Sequence, residues 1–288
     1  MNAPFDPSLL VTEKFAVGQP VSRKEDPVLL RGEGQYTDDL NRPNQLYAVM
    51  VRSRVAHGVI DGVDIEAALA IEGVHAVILA PELDAANVGN MPAAAGKNAD
   101  GSATPRPPQR PLATGRVRYV GEPIAMVVAA TPQLAKDGAE AVFASIDPLP
   151  AVTSASEAAA LDAPQLHEAA PGNLHMSYHF GDVDKVAAAF AAAAHVTKLQ
   201  IRNNRVVVCP MEPRSAIGEF DAELDRYVLR LGCQGVFGQR ALLSGIMGVP
   251  AEKLQILTGN VGGSFGMKAS AYPEYVCLLH AAKMLGRP

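Results

Sequence analysis

The chain has 288 residues, of which 48% are hydrophobic and 19% are charged, and its formal net charge at pH 7 is −5. A chain of this length can bury one large core or two modest ones, and we expect two domains. Its 25 lysines and arginines are spread over both halves instead of forming a basic stripe, which excludes nucleic acid and an anionic membrane surface as partners.

Apolar stretches and cysteines narrow the class of protein further. Glycine, proline or charged residues interrupt every apolar stretch before it reaches about 18 residues, so no membrane span is predicted. The first 20 residues lack the pattern of a secretory signal, which favours a cytoplasmic location. Cys209, Cys233 and Cys277 are widely spaced, which favours buried thiols over a disulfide framework, a zinc site or an iron–sulfur ligand set.

The N-terminal half alternates strand and helix patterns. Residues 1–19 are rich in turn-forming residues and are predicted to be an extended lead-in. Alternating apolar and polar positions at 44–55 predict a half-buried strand. Asp64 is placed to cap a helix that ends at Gly73, before the apolar strand "VHAVILA".

A long loop and a second helix complete this half. Residues 87–111 are rich in glycine, proline and alanine and predict a long surface loop. The apolar stretch at 117–130 predicts a bent strand or a strand pair. Thr131, followed by a proline, is the predicted N-cap of a helix that extends to about Ser145. We assign residues 20–152 to one domain.

The second half begins after a predicted linker at 153–172, which is rich in alanine, proline and serine. In the domain assigned to residues 173–288, Asp182 is predicted to cap an alanine-rich helix, and a strand is expected from Val196 onwards. The later pattern predicts, in order, the strand "RYVLRLGCQG", a helix that ends at Gly248, the strand "KLQILTGN" and a last helix at 272–285.

The strongest local signal for chemistry is the glycine-rich segment "GNVGGSFGMK" at residues 259–268. Glycines at this density allow backbone N–H groups to approach an oxygen-rich, anionic ligand. The segment lacks the Gly-Lys-Ser/Thr end of a P-loop and the G-x-G-x-x-G order of a dinucleotide-binding fold. On spacing alone, a tight turn with structural glycines is an equal alternative.

Two further segments carry polar side chains of interest. Gln234 lies at a predicted strand end between Gly232 and Gly235, where its amide has room to donate to a metal-oxo or phosphate oxygen. A solvated glutamine in a turn is the simpler alternative. In "MEPR", Glu212 and Arg214 are interpreted as a structural charge pair at a domain interface. No HExxH motif is present, so a zinc site is not supported. Ser264 stands among glycines in "GGSFG", which has the G-x-S-x-G spacing, but the sequence shows no base to activate it, so hydrolase chemistry is not supported either.

Several separated motifs, in the same order, resemble the large, molybdopterin-binding subunit of the xanthine dehydrogenase, aldehyde oxidase and carbon monoxide dehydrogenase family. The segments "RKEDPVLLRGEGQYTDDL", "VRSRVAHGVI", "YVGEPIAMVVA" and "IDPLPAV" resemble its a/b hammerhead domain. The segments "MEPRSAIGEFD", "GCQG" and "VGGSFGMK" resemble the start of its first molybdopterin-binding domain. The resemblance covers almost the whole chain and implies an α/β (α+β) fold, with a hammerhead domain at 20–152 and an incomplete cofactor domain at 173–288.

The resemblance also implies roles for individual residues. Gln234 matches the family glutamine that hydrogen-bonds the apical oxo ligand of molybdenum. Ser264 stands where the family usually has a third glycine, and Ala269 stands where purine-oxidising members have a substrate-contacting glutamate, which disfavours xanthine. The cofactor-binding residues implied in this way are Gln234, Gly263, Ser264, Phe265 and Gly266. No catalytic residue or metal ligand is implied, because neither the family's glutamate base nor its copper-binding cysteine loop occurs in this sequence.

The function implied by the resemblance is that of the N-terminal part of a molybdenum hydroxylase large subunit, inactive without the remaining cofactor domain. Its substrates would be aldehydes, N-heterocycles or carbon monoxide, and its cofactor the molybdenum-bearing molybdopterin. FAD and iron–sulfur clusters would lie on partner subunits or domains. The implied partners are the rest of the molybdopterin-binding subunit, an iron–sulfur subunit and an FAD subunit. The alternative is a non-catalytic scaffold that retains the hammerhead fold.

Overall fold

The computed structural model describes residues 21–288, and the predicted lead-in at 1–19 lies outside the described residues. Within them the chain forms three three-stranded sheets. Two sheets belong to the N-terminal half and one to the C-terminal half. This mixture of helices and sheets confirms the predicted α/β (α+β) class.

The first sheet is built around a strand that is buried along its whole length. Its members are β1 (Tyr47–Arg52), β3 (Val74–Ile78) and β5 (Pro123–Ala129). The central strand, β5, pairs antiparallel with both neighbours, and all of its residues are buried. A strand covered on both faces tolerates no polar alternation, which explains the continuous apolar run in the sequence.

The second sheet packs beside the first, and its central strand is β2. Its members are β2 (Gly58–Asp64), β4 (Arg116–Val117) and β6 (Phe143–Pro148), all antiparallel. The helices of this half are α1 (Asp26–Leu30), α2 (Glu66–Leu69), α3 (Ala80–Ala85) and α4 (Pro132–Ala141). The predicted cap of α4 is confirmed, because the Thr131 hydroxyl accepts a hydrogen bond from the Leu134 N–H at 3.2 Å.

The third sheet contains the only parallel strand pair among the described residues. Its members are β7 (Ala216–Asp221), β8 (Arg226–Leu231) and β9 (Leu254–Leu257). The central strand, β8, is antiparallel to β7 and parallel to β9. A single helical turn, α5 (Ala155–Ala158), lies within the predicted linker at 153–172. The helices of the C-terminal half are α6 (Val183–Ala192), α7 (Val236–Met247) and α8 (Pro273–Leu285).

The two halves share one hydrophobic core. The largest cluster of buried side chains includes Leu46 and Met126 from the first half and Leu229 and Leu279 from the second. Tertiary packing therefore joins the elements on either side of the predicted linker at 153–172. The site described below lies where the same two halves meet.

Three details of the predicted elements need correction in the first half. The helix α4 ends at Ala141, not near Ser145, because β6 begins at Phe143 and pairs with β2. The predicted strand "VHAVILA" stops at Ile78, and the unpredicted α3 begins at Ala80. The helix that follows Asp64 is a single turn, although the Asp64 carboxylate accepts a hydrogen bond from the Glu66 N–H at 2.9 Å.

The segment between the linker and the third sheet differs most from its prediction. Asp182 caps α6 as expected, through a hydrogen bond from the Lys185 N–H at 3.0 Å. The strand predicted from Val196 is wrong, because residues 193–210 form no regular structure. A strand is stable only when a neighbour pairs with its backbone, and within residues 21–288 no strand pairs with this segment. Cys209 is exposed, so it is not the buried thiol that was predicted.

Within residues 21–288, no helix combines the length and the apolar character needed to cross a membrane.

Candidate cofactor-binding site

The parallel pair β8 and β9 brings the sequence-predicted site residues together. Parallel strands end at the same edge of a sheet, where ligands bind in many α/β folds. Gln234 follows β8, and the glycine-rich segment at 259–268 follows β9. The antiparallel strand β7 starts at this edge, since Ala216 pairs with Leu231, so the "MEPR" segment that precedes β7 is positioned at the same edge.

Direct hydrogen bonds connect Gln234 with the glycine-rich segment. The Ser264 hydroxyl donates to the Gln234 amide oxygen, Oε1, at 2.5 Å. The Ser264 Oγ in turn accepts from the backbone N–H of Lys268 at 3.0 Å. The backbone N–H of Gln234 donates to the Lys268 carbonyl at 3.2 Å. Two segments that are 30 residues apart therefore form one hydrogen-bonded unit.

The glycines of the site divide into two groups with different physical roles. A Cβ at Gly262 would lie 2.5 Å from the Cβ of Glu212, so this glycine allows close packing of two backbones. Gly235 and Gly266 have φ angles of +157° and +89°, and a Cβ on either would meet no atom within 4 Å. Their backbone conformation requires glycine, and the space beside them is open.

The loop between Gly263 and Gly266 has an unusual backbone. Phe265 adopts φ of +50°, a left-handed conformation that is uncommon for a bulky residue, and its side chain is 79% exposed. Gly263 has φ of +98°, and a Cβ there would lie 3.1 Å from the Cβ of Pro210. Strained backbone that persists must be held by its surroundings, and such strain clusters at ligand sites.

A buried ion pair lies beneath this loop. The Lys268 side chain is 1% exposed, and its Nζ lies 2.6 Å from the Glu212 carboxylate, which is 10% exposed. The same carboxylate accepts hydrogen bonds from the backbone N–H groups of Gly262 at 2.8 Å and of Thr37 at 3.3 Å. A buried charge pair is tolerated when additional hydrogen bonds satisfy its remaining lone pairs, as they do here.

The electrostatic setting of Glu212 is the net result of opposing effects. Burial is the largest single effect and would raise its pKa, because it penalises the charged carboxylate. The hydrogen bonds from Lys268, Gly262 and Thr37, together with the charge of Lys268, outweigh burial and hold the pKa of Glu212 below its usual value. The carboxylate is therefore ionised at neutral pH.

The partner of Glu212 was predicted incorrectly from the sequence. Glu212 pairs with Lys268, not with Arg214. The Arg214 guanidinium lies 3.6 Å from the centre of the Tyr272 ring and 3.9 Å from the Glu274 carboxylate. Side chains two residues apart in a regular strand lie on the same side, but the chain bends at residues 211–212. "MEPR" alone therefore does not indicate that Glu212 and Arg214 have different partners.

The N-terminal half contributes one segment to this site. The Gln35 N–H donates to the Asn260 side-chain oxygen at 2.9 Å, and the Asn260 N–H donates to the Gln35 carbonyl at 3.2 Å. With the Thr37 contact to Glu212, these bonds fix residues 35–37 against the start of the glycine-rich segment. The site is thus assembled from both halves of the chain.

A second glutamine, which the sequence did not single out, holds the far end of the segment. Gln239, in the first turns of α7, is 1% exposed. Its amide nitrogen donates to the backbone carbonyls of Lys268, Ala269 and Ser270 at 3.4, 3.2 and 2.9 Å. Gln239 and Lys268 are polar residues within predicted apolar or glycine-rich elements, and that mismatch is the signal that identifies such supporting residues.

Comparison with known proteins defines the class of these domains. Residues 31–150 match the family described as "Aldehyde oxidase and xanthine dehydrogenase, a/b hammerhead domain". Residues 166–288 match the family described as "Molybdopterin cofactor-binding domain". The C-terminal half, which carries Gln234 and the glycine-rich segment, is therefore a molybdopterin cofactor-binding domain.

Individual relatives agree with this class. The carbon monoxide dehydrogenase large chain of Hydrogenophaga pseudoflava is 33% identical over 100% of this chain and 36% of its own length. The nicotine 6-hydroxylase large subunit of Paenarthrobacter nicotinovorans is 32% identical over 94% of this chain and 32% of its own length. The chain thus spans about a third of the length of these curated relatives.

Solved structures show the same relationship in three dimensions. Reconstituted carbon monoxide dehydrogenase from Oligotropha carboxidovorans superposes with a TM-score of 0.83 at 31% identity, over 93% of this chain and 34% of that one. Quinoline 2-oxidoreductase from Pseudomonas putida 86 superposes with a TM-score of 0.77 at 30% identity, over 93% and 33%. The chain belongs to the xanthine dehydrogenase, aldehyde oxidase and carbon monoxide dehydrogenase family of molybdopterin-binding large subunits.

Proposed function

We propose that this chain forms the N-terminal part of a molybdenum hydroxylase large subunit and that Gln234 and the loop at 263–266 contact its molybdenum cofactor. The observation that carries this proposal is the convergence of Gln234 and the glycine-rich loop at one sheet edge, beside the start of α7. Gln234, Gly263, Ser264, Phe265 and Gly266 are the proposed contact residues.

The chemistry of the site fits an oxygen-rich, anionic cofactor. No side chain caps the N-terminus of α7, where Gly235 is the N-cap residue. The first N–H groups of a helix are unpaired donors at the positive end of its dipole and bind phosphate and other anions well. The open space beside Gly235 and Gly266 leaves room for such a ligand.

When bound, the molybdenum cofactor supplies two-electron oxidation of the substrate with transfer of an oxygen atom derived from water. The residues of this chain bind and orient that cofactor. The Gln234 amide nitrogen would donate a hydrogen bond to the cofactor. The backbone N–H groups of the glycine loop and of α7 would provide further donors to it. This chain has no general base matched to the family's, so activity depends on the rest of the subunit.

The proposed substrates are aldehydes, N-heterocycles or carbon monoxide. Relatives are named for the oxidation of carbon monoxide, nicotine and quinoline. Ala269 is exposed and directly follows the glycine-rich segment at 259–268. An alanine there offers no carboxylate to a purine, which disfavours xanthine as the substrate.

An exposed apolar surface supports the proposal that further protein covers this chain. Every residue from 174 to 207 is exposed, and this stretch, called here the exposed segment, carries many large apolar side chains. Its most exposed members are Phe180, Leu199, Ile201, Val206 and Val207. This many exposed large apolar side chains in one stretch indicate an interaction site. The proposed cover is the remaining part of the molybdopterin-binding subunit.

FAD and iron–sulfur subunits are proposed as the electron-transfer partners, and the cytoplasm as the location. One relative is named as the gamma subunit of a dehydrogenase complex, which agrees with a multi-subunit assembly. Cell fractionation followed by detection of the chain tests the location.

The test of the function is the molybdenum content of everything that co-purifies with the chain from its native host, together with intact masses. We expect stoichiometric molybdenum and additional polypeptides, one of which carries the rest of the subunit. Such a preparation would then be assayed with aldehydes, N-heterocycles and carbon monoxide. A lone, metal-free chain would instead favour the scaffold alternative.

The exposed segment gives a second test on the isolated chain. We expect the isolated chain to form oligomers, because the apolar side chains of the exposed segment associate when nothing covers them. Sedimentation velocity over a range of concentrations measures this. A monodisperse monomer that melts cooperatively would contradict the proposed cover.

A further inference from the structure

We propose that Ser264 is a positioning residue that fixes the side-chain amide of Gln234 with its nitrogen, Nε2, directed away from the loop as a free donor. This inference rests on the proposed function of Gln234 as a cofactor contact. It goes further by assigning to the Ser264 hydroxyl the task of selecting one of the two amide orientations.

The hydrogen bonds around Ser264 decide the orientation. A hydroxyl has one proton to donate, and the Ser264 Oγ already accepts from the Lys268 N–H at 3.0 Å. Its proton is directed to Gln234 Oε1 at 2.5 Å. That separation lies at the short end of the range of O–H···O bonds and below the range of N–H···O bonds. A flipped amide would present Nε2 to Ser264 and leave the hydroxyl proton without an acceptor among the described residues.

The three bonds form a closed ring that begins and ends at Gln234. The Gln234 N–H donates to the Lys268 carbonyl, the Lys268 N–H donates to Ser264 Oγ, and Ser264 donates to Gln234 Oε1. Lys268 is itself immobilised, because its side chain is 1% exposed and pairs with Glu212. A side-chain rotamer is well defined when its partners are held by buried neighbours.

The fixed orientation of the amide leaves its Nε2 group available to a ligand. With Oε1 turned towards Ser264, the amide directs the two N–H donors of Nε2 to its other side. An anionic or oxo ligand needs donors, so this orientation suits the proposed cofactor. Without Ser264 the amide would sample both orientations and several rotamers, and only a fraction of molecules would be competent to bind.

The first test measures the amide itself and needs no cofactor. In the 15N-glutamine-labelled chain, the Gln234→Leu variant identifies the Gln234 side-chain signal. We expect the heteronuclear NOE of Nε2 to be higher for Gln234 than for the exposed Gln200. Ser264→Ala should lower it to the Gln200 value, whereas Ser264→Thr, which keeps a hydroxyl, should retain it. An equal NOE in wild type and Ser264→Ala would overturn the proposal.

The second test uses the native complex. Ser264→Ala should lower turnover by roughly three- to tenfold at unchanged protein stability, because the competent fraction of Gln234 falls. Ser264→Thr should restore most of the rate. Gln234→Ala should have a larger effect, roughly ten- to a thousandfold, by analogy with lost oxyanion donors. Ser270→Ala is the matched control, since this exposed hydroxyl makes no hydrogen bond within residues 21–288.

The two tests separate the inference from the function it rests on. A wild-type complex without molybdenum would overturn the cofactor role, whereas the NOE comparison would still decide whether Ser264 orders the amide. A molybdenum-loaded complex in which Ser264→Ala has full turnover and an unchanged NOE would overturn the positioning role alone.

Discussion

Two neighbouring stretches of this chain have similar apolar content but opposite structures. The exposed segment at 174–207 contains one helix, and no residue in it is buried. Residues 212–285, called here the packed region, form a three-stranded sheet and two helices around a buried core. Apolar residues alone therefore do not decide where the chain is packed.

The difference lies in what each stretch has beside it. In the packed region, β8 is paired on both sides and α8 covers the sheet, so side chains such as Leu229 and Leu279 are fully buried. In the exposed segment, α6 directs Val186 and Phe190 into solvent, at 52% and 61% exposure. A helix without a covered face depends on its cap and its local propensity. The two stretches should therefore respond very differently to substitution.

The largest effect is expected at the buried ion pair of the packed region. Lys268→Met should destabilise the protein by about 3–5 kcal/mol, because it leaves the Glu212 carboxylate buried without its partner. Chemical unfolding in urea measures this. Lys253→Met is the matched control, because its pair with Asp225 at 2.9 Å is exposed and exposed pairs contribute about 1 kcal/mol or less. Equal effects at the two lysines would contradict the burial argument.

A cavity in the core should have the next largest effect on the free energy of unfolding. Leu229→Ala should cost about 3 kcal/mol, because the side chain is 0% exposed and its removal leaves an unfilled space. The same change at Leu199, which is 80% exposed, should alter the free energy of unfolding by less than about 0.5 kcal/mol. Thermal unfolding of both variants measures the contrast. A large loss at Leu199 would mean that the exposed segment is packed in solution.

Acid should lower the stability of the packed region, because it protonates Glu212. Its pKa is lower in the folded chain than usual, so ionised Glu212 stabilises the fold above its unfolded pKa of about 4.3. That contribution is lost as the pH falls from about 4.3 towards the lower, folded value. We expect the difference in stability between wild type and Glu212→Gln to shrink over this range. A constant difference between pH 7 and pH 3 would show that the carboxylate is not selectively stabilised.

How much could be predicted from the sequence depends on the range of the interactions involved. Local signals located the cap of α4 at Thr131, the cap of α6 at Asp182 and the glycine that ends α7 at Gly248, which adopts φ of +64°. The family motifs indicated the residues proposed for the site and the domain class. These features depend on residues that are close in sequence, or on resemblance to known proteins.

The largest failures concern partners that are distant in sequence. The pairing of Glu212 with Lys268 spans 56 residues, and no local pattern favours it over Arg214. The strand expected from Val196 has suitable composition but lacks a neighbour to pair with among the described residues. The helix predicted to extend to Ser145 ends earlier, because β2 pairs with the residues that follow it and makes them the strand β6. The composition of a segment indicates which element it favours, but a strand forms only where a distant segment pairs with it.

The smallest effect is expected within the exposed segment, where local interactions act alone. Asp182→Ala should destabilise α6 by about 1 kcal/mol, because it removes the side-chain acceptor of the Lys185 N–H at 3.0 Å. Since α6 buries no residue, the midpoint of global unfolding should stay unchanged while amide exchange in α6 accelerates about fivefold. Asp184→Ala is the control, as it lies in the same first turn without serving as the cap. A shift in the global midpoint after Asp182→Ala would show that α6 folds together with the packed region, and the contrast between the two stretches would then be one of degree.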